Sequence, residues 1–274
     1  MKFDSDLHIH TVYARHSGSD MTVPNVLNAA ASAGLRRVVV LEHFPEIGPS
    51  RPNLAAWRAG REDRSALEAI KQQVRESAGD FPLLEVLTGV EVDADPFAMD
   101  GSAMLDDSEG LDVVIGATHI FPGGTAFWYD PVTVAPDKGW ELAHRWRQWV
   151  LAFLRAGRLD VLAHPGDLVA AGQLVPPFDA PETLDFFEPI LETMAENKVA
   201  FELNELLARK LAPAYRETYP LLVNLARDQG LLFSICSDAH FLSEVGRFAW
   251  VRELVSECGL TERHLWQPPT PPLR

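Results

Sequence analysis

The chain has 274 residues, 47% hydrophobic and 23% charged, with mean hydropathy near zero, the proportions of an ordinary globular protein with one large domain. Asp and Glu number 39 against 24 for Lys and Arg, and the resulting charge of −15 works against a phosphodiester backbone, so no nucleic-acid partner is expected. No apolar run approaches the ~18 residues of a membrane span, the N-terminus lacks a leader pattern, and Cys236 and Cys258 are too few for a disulfide framework, which together point to a cytoplasmic protein with reduced thiols and no membrane partner.

The first short β-rich run, 3–9, carries Asp4-Ser5-Asp6-Leu7-His8-Ile9 and leads directly into His10. Residues two apart in a strand share a face, so Asp6, His8 and His10 are expected to point the same way. His16 follows in a Gly/Ser-rich loop, and Thr22-Val23-Pro24 opens a helix with Pro in its first turn and Gly34 beyond its end. The second run, 37–41, leads into Glu42 and His43; a helical pattern covers 61–78, and the third run, 83–90, ends at Glu91. The fourth, 112–117, ends in Thr118-His119, and the helical pattern over 138–156 carries Leu142, Trp146, Trp149 and Phe153 on one stripe.

The fifth run, 159–163, ends in His164-Pro165, and the sixth, 199–203, in Asn204, with a helix over 185–197 between them. The seventh, 231–237, ends in Asp238-Ala239-His240, flanked by helical patterns over 214–229 and 243–258. Strand and helix alternating about seven times predict a parallel sheet with crossover helices in one domain spanning 1–274. At this length a barrel related to the (β/α)8 type leads, with a doubly wound open sheet as the alternative. The Pro-rich stretch 267–272 excludes helix and central strand, giving a tail over about 266–274.

Of nine histidines, only His144 and His264 lie far from a predicted strand end. In a barrel the strand C-terminal ends converge on one mouth, so His8, His10, His16, His43, His119, His164 and His240 are expected to meet there with Glu91 and Asp238. Buried groups of this kind are costly unless they coordinate something, and imidazole with carboxylate and no thiolate suits zinc, manganese or iron(II). Nine donors exceed what one ion needs, so two or three divalent ions are expected. Glu42 and Glu202 stand beside this set as ligands, proton carriers or outer partners.

The ordered motifs DxHxH, a nearby His, EH, GxE, two further His, and SDAH resemble the PHP (polymerase and histidinol phosphatase) family over residues 4 to about 247. LEHFP, GVEVD, ELNELLARK and ETYP look most like its stand-alone histidinol-phosphatase branch, although GATHIFPGG and ELNELLARK depart from the tracts usual there. The resemblance implies a distorted (β/α)7 TIM-like barrel, the PHP fold, with a trinuclear metal site. It implies that His8, His10, Glu91 and Asp238 hold one ion, that Glu91 bridges to a second held by His119 and His164, and that His16, His43 and His240 hold a third. Asp6 would orient one of the histidines.

The expected activity is metal-dependent hydrolysis of a small phosphomonoester, the partner being a small phosphorylated molecule. Water or hydroxide bridging two ions would attack phosphorus, with Asp238 or His240 carrying the proton to the leaving group. Arg209, Lys210 and Arg247 are the candidate phosphate contacts. A phosphodiesterase, an amidohydrolase-type enzyme and a non-catalytic metal-binding module are the alternatives. Amidohydrolase barrels commonly bridge metals with a carboxylated lysine on a middle strand, where this chain offers Glu91 and no lysine.

Overall fold

A computed structural model describes residues 2–45, 63–105, 108–121, 138–156 and 159–268. Eight strands occupy seven barrel positions: β1 (Ser5–Ile9), β2 (Arg37–Val40), β3 (His43–Phe44), β4 (Glu85–Asp93), β5 (Val113–Ala117), β6 (Val161–Leu162), β7 (Ala200–Asn204) and β8 (Phe233–Cys236). They run parallel in the order β1-β2-β4-β5-β6-β7-β8, with β3 continuing the β2 position by pairing with the second half of β4. Near the mouth β8 closes onto β1, where Asp238 N–H donates to His8 O at 3.0 Å and His10 N–H to Ala239 O at 3.1 Å.

The helices are α1 (Val23–Ser32), α2 (Ser65–Ser77), α3 (Gly139–Arg155), α4 (Asp167–Ala171), α5 (Pro181–Asn197), α6 (Leu207–Lys210), α7 (Pro213–Asp228) and α8 (Ala249–Glu257). Their apolar stripes pack on the outer strand residues: Val26, Leu27 and Ala30 of α1 and Trp146, Trp149 and Phe153 of α3 join Val38, Val40, Val90 and Val92 in one cluster. Trp149 and Trp146 also find acceptors for their indole N–H groups, at Asp95 O (3.1 Å) and Thr118 Oγ1 (3.2 Å).

A second cluster contains no helical residue. Leu7, Val39, Leu41, Leu87, Val113, Ile115, Ala117, Val161, Ala163 and Ala200 alternate with the outward set, as a two-residue period requires, and so fill the barrel. Trp266 completes this interior cluster. Leu265 bridges to Phe233, and Trp266 N–H donates to Phe233 O at 2.9 Å, so the C-terminal segment lies alongside β8 where β8 and β1 part. A loose tail starting at 266 does not describe this end of the molecule; 269–274 lie outside the described residues.

Two helices begin elsewhere than the sequence pattern predicts. α5 starts at Pro181, four residues early, with Pro at the position where a missing N–H costs nothing. α8 starts at Ala249 rather than 243, because Gly246 (φ 70) breaks the path after a single 3-10 turn over Leu242–Glu244. The start of the helix predicted over 61–78 lies outside the described residues, and the described part runs Ser65–Ser77. None of the described helices is long and apolar enough to cross a membrane.

Candidate metal centre

The interior alternation carries straight on into polar residues at the mouth. Above Leu87 on β4 the same face presents Glu91 and Asp93, above Ala117 it presents His119, and above Ala200 on β7 it presents Glu202 and Asn204. His43 pairs in register with Glu91. His164 and Asp238 leave their strands in the left-handed region, φ 31 and 52, which costs a side-chain-bearing residue about 1–3 kcal/mol and turns both toward the mouth.

β1 behaves differently. Between the Asp6–Val38 and Ile9–Val40 pairs it advances three residues against two on β2, a bulge. The extra residue reverses the faces, so Asp6 lies with the outward set while His8 and His10 enter the mouth. The expectation that all three share a face is therefore corrected. Asp6 does not orient a histidine: it accepts N–H groups from Ser237 (2.9 Å) and Gly246 (2.9 Å), tying β1 to the segment after β8. Burial is the largest influence on its carboxyl, pushing it up to about 6.

Glu91 is the centre of the cluster. Its Oε1 lies 3.1 Å from His164 Nε2 and 3.3 Å from His119 Nε2; its Oε2 lies 2.7 Å from His43 Nδ1, 3.4 Å from His8 Nε2 and 3.5 Å from His10 Nε2. Asp238 Oδ1 stands 3.3 Å from His10 Nε2 and 3.7 Å from His8 Nε2. The His240 ring is 4.3 Å from that of His10 and 4.5 Å from that of His16, whose ring is 5.2 Å from that of His43. Donor atoms of His8–His10–Glu91, of His43–Glu91–His119 and of His10–His43–His240 each lie within 4.8 Å of one another. All nine expected residues therefore meet at the mouth, His16 on its exposed rim and the others buried.

The opposite ring nitrogens have their own partners. His8 Nδ1 is 2.8 Å from Glu202 Oε1, His119 Nδ1 3.1 Å from Asp93 Oδ2, His164 Nδ1 2.8 Å from Asp167 Oδ2, and His10 Nδ1 3.5 Å from Glu42 Oε2. His240 Nδ1 donates to Asp238 O at 2.9 Å. An imidazole gripped by a carboxylate at one nitrogen offers the other to a cation, the usual dress of a metal-binding histidine. Sequence spacing singled out Glu42 and Glu202 but not Asp93 or Asp167, whose GVEVD and HPGD contexts carry no separate signal.

The electrostatics agree. Burial, the largest influence throughout, opposes charge, yet the facing carboxylates outweigh it and hold His8 and His119 well above the usual imidazole range, His10 above it, and His164 at about 9. Burial and neighbouring His10 hold His43 and His240 well below that range. The carboxylates thus pull positive charge into a buried space. Several buried ligand atoms there make no hydrogen bond, His43 Nε2 and His240 Nε2 among them, and the close pairs His43 Nδ1–Glu91 Oε2, His10 Nδ1–Glu42 Oε2 and His164 Nδ1–Asp167 Oδ2 are ion-pair contacts without hydrogen-bond geometry. Unpaired buried donors of imidazole and carboxylate type, converging within ligand distance of each other, fit divalent cations.

Other singled-out residues take lesser places. Arg209 is paired with Glu244 at 2.7 Å, and Glu244 also accepts the backbone N–H of His240 at 3.0 Å. Arg247 lines a cavity with Ala29 and Ser32 of α1 and with Ala33 just beyond it, on the outer side of the barrel rather than over the mouth. Lys210 acts on the cluster: against burial, which pushes the Asp238 carboxyl up, it joins His8 and His10 in holding that carboxyl well below the usual range. Cys236 is buried beside Glu202 and His8, and both cysteines are unpaired. His144 is exposed and stacks on Trp140.

A family model described as PHP domain matches residues 6–206. A probable phosphatase of Thermoanaerobacter sp. (strain X514) is 25% identical over 267 residues, 96% of this chain and 89% of that one. Another, of Aeromonas hydrophila, is 25% identical over 272 residues, 98% and 92% of the two chains. In backbone the chain is similar to a histidinol phosphate phosphatase from Lactococcus lactis, solved with zinc, L-histidinol and phosphate: TM-score 0.64, 18% identity and 94% coverage of each chain. That likeness speaks for the fold.

Proposed function

The chain belongs to the PHP domain family and is a metal-dependent phosphoesterase, and we propose that it hydrolyses a small phosphomonoester in the manner of a histidinol phosphatase. The observation that carries the proposal is the inside-out order of the cluster. Glu91 and Asp238 stand inside the ring of imidazoles, Glu91 meeting Nε2 of His8, His10, His119 and His164 and Nδ1 of His43, while Glu42, Asp93, Asp167 and Glu202 back their rings at Nδ1 from outside.

Six buried carboxylates around neutral imidazoles leave six negative charges, which three divalent ions balance and two do not. The donors would be His8, His10, Glu91 and Asp238 for one ion, Glu91, His119 and His164 for a second, and His16, His43 and His240 for a third. The donor chemistry suits zinc, manganese or iron. When bound, such ions supply hydroxide at neutral pH and neutralise the phosphoryl oxygens.

The chain's own residues do the rest. The outer carboxylates keep the imidazoles oriented, and Lys210, with Arg209 beside it, supplies positive charge for the phosphate. Asp238 is the proposed proton carrier to the leaving oxygen, and His240 takes that role where its Nε2 is not engaged by the third ion. His240 Nε2 lacks a hydrogen bond, and its residue, 9% exposed, is the most open of the buried histidines toward the rim. The related phosphatase holding L-histidinol and phosphate suggests an amino-alcohol phosphate as the first substrate to try.

Phosphate release from histidinol phosphate and a panel of small phosphomonoesters, by protein loaded with zinc, manganese or iron, tests this reading. Turnover of a monoester well above that of bis-p-nitrophenyl phosphate is expected. Cleavage of the diester alone, or of no ester with any metal, would refute it.

A further inference from the structure

Six of the seven barrel positions end in a residue aimed at the centre of the cluster, whereas β7 ends in two that aim at the residues around it. Glu202 Oε1 meets the Nδ1 of His8 at 2.8 Å, and Oε2 accepts the backbone N–H of His164 at 2.8 Å and an N–H of Asn204 at 3.0 Å. The same Asn204 nitrogen lies 3.1 Å from Asp238 Oδ2. Residues delivered by β1, β6 and β8 are thus tied to one two-residue step of β7, and each of the five is at most 3% exposed.

We propose that Glu202, assisted by Asn204, is the positioning residue of the site, gripping His8 at Nδ1 so that Nε2 is the nitrogen turned toward Glu91 and Asp238. The inference rests on the metal-dependent reading. An ion can take only Nε2: the carboxylate accepts at Nδ1, so the proton there stays, and any proton on Nε2 is the one an ion displaces. Glu202 cannot turn away, because its second oxygen already serves two buried N–H groups that would be left unsatisfied.

His8 needs such a brace more than its neighbours do. It sits in the β1 bulge, where regular pairing with β2 lapses, so its backbone is held on the β8 side alone, by Asp238 N–H, and its ring is held from β7. Glu202 is not among the central donors, since it meets the ring on the side away from Glu91. One carboxylate therefore spaces the His8–Asp238 wall from the His164 wall.

Glu202→Gln keeps the size and removes the acceptor symmetry. A glutamine that turns its NH2 to His8 drives the imidazole proton to Nε2; turned the other way, the NH2 confronts the His164 and Asn204 N–H groups. The test uses the full chain labelled with 15N-histidine, with and without zinc. Zinc content after dialysis, affinity by chelator competition, and the downfield Nδ1–H resonance of His8 are measured.

The wild type is expected to show that resonance in both states. In a folded E202Q variant it should move or vanish, and one ion should be lost or bound about 10- to 100-fold more weakly. An unchanged resonance, or unchanged affinity and stoichiometry, would overturn the proposal. Should E202Q not fold, Asn204→Ser decides: it leaves the His8 partner in place and frees Asp238, so a smaller loss of affinity with the resonance retained supports the brace, and wild-type affinity counts against it. A wild type that takes up no metal defeats the metal-dependent reading, while the His8 resonance still decides whether Glu202 holds the ring.

Discussion

Replacing Trp266 with alanine tests how far the barrel interior extends. The residue is 9% exposed, belongs to the interior cluster with ten residues in or just beyond the strands, and is anchored by its backbone N–H to Phe233 O. Burying an aromatic side chain removes roughly 150–250 Å² from water, worth about 4–6 kcal/mol at ~25 cal/mol per Å². Alanine keeps part of that, but strands fixed by their ladders cannot close the space, so the loss should be about 3–5 kcal/mol. With ~2 °C per kcal/mol for a chain of this size, thermal unfolding should fall by about 6–10 °C. The cluster of histidines and carboxylates lies at the opposite end of the strands. Zinc content and phosphatase activity at 25 °C should therefore match the wild type. Differential scanning fluorimetry with metal analysis reads both quantities. A shift under 2 °C would mean that Trp266 is not part of the interior, and a loss of zinc at unchanged stability would mean that the floor and the mouth are coupled.

Glu91→Gln removes the carboxylate that faces five imidazoles, and metal affinity should fall by more than the ~100-fold expected of an outer carboxylate; chelator competition showing a smaller loss would refute its central place. Metal uptake should strengthen as pH rises toward about 9, because His164 is protonated below that value in the metal-free protein and an incoming ion must displace the proton. Affinity measured at pH 6, 7 and 8 should climb at each step, and a flat profile would contradict the raised imidazole. Asp6→Ala leaves the Ser237 and Gly246 N–H groups without their acceptor, partly offset by no longer burying a charge, for a net cost of about 1–3 kcal/mol in urea unfolding at pH 7. Stability equal to wild type would show that the seam does not depend on it.

The barrel is legible because its strands are buried on both faces and read as short β-branched runs such as Arg-Val-Val-Val at 37–40, closed by turn residues. What local pattern does not carry is anything decided by a distant partner. His43–Phe44 becomes a strand only because Glu91–Val92 lies beside it. Trp266 looks like the start of a Pro-rich tail until β8 is in place to receive its N–H. The predicted helix from 243 is interrupted at Gly246, whose N–H serves Asp6 some 240 residues away.

Strand parity explains both the success and the failure at the site. The inward positions 87, 91 and 93 of β4, and 117 and 119 at the end of β5, follow a strict two-residue period, so the mouth residues can be counted from the apolar ones below them. On β1 the bulge adds a residue that no composition signals, and Asp6 changes face. Parity is also blind to role. Glu91 and Asp93 lie on one face of one strand, roughly 7 Å apart, and both touch His119, Glu91 at Nε2 (3.3 Å) and Asp93 at Nδ1 (3.1 Å). The first of these acids looks into the cluster and the second holds the ring from behind. That distinction depends on which way an imidazole from β5 lies between them. It exists only once β4 and β5 are paired, with Glu91 opposite Ile115 and Asp93 opposite Ala117.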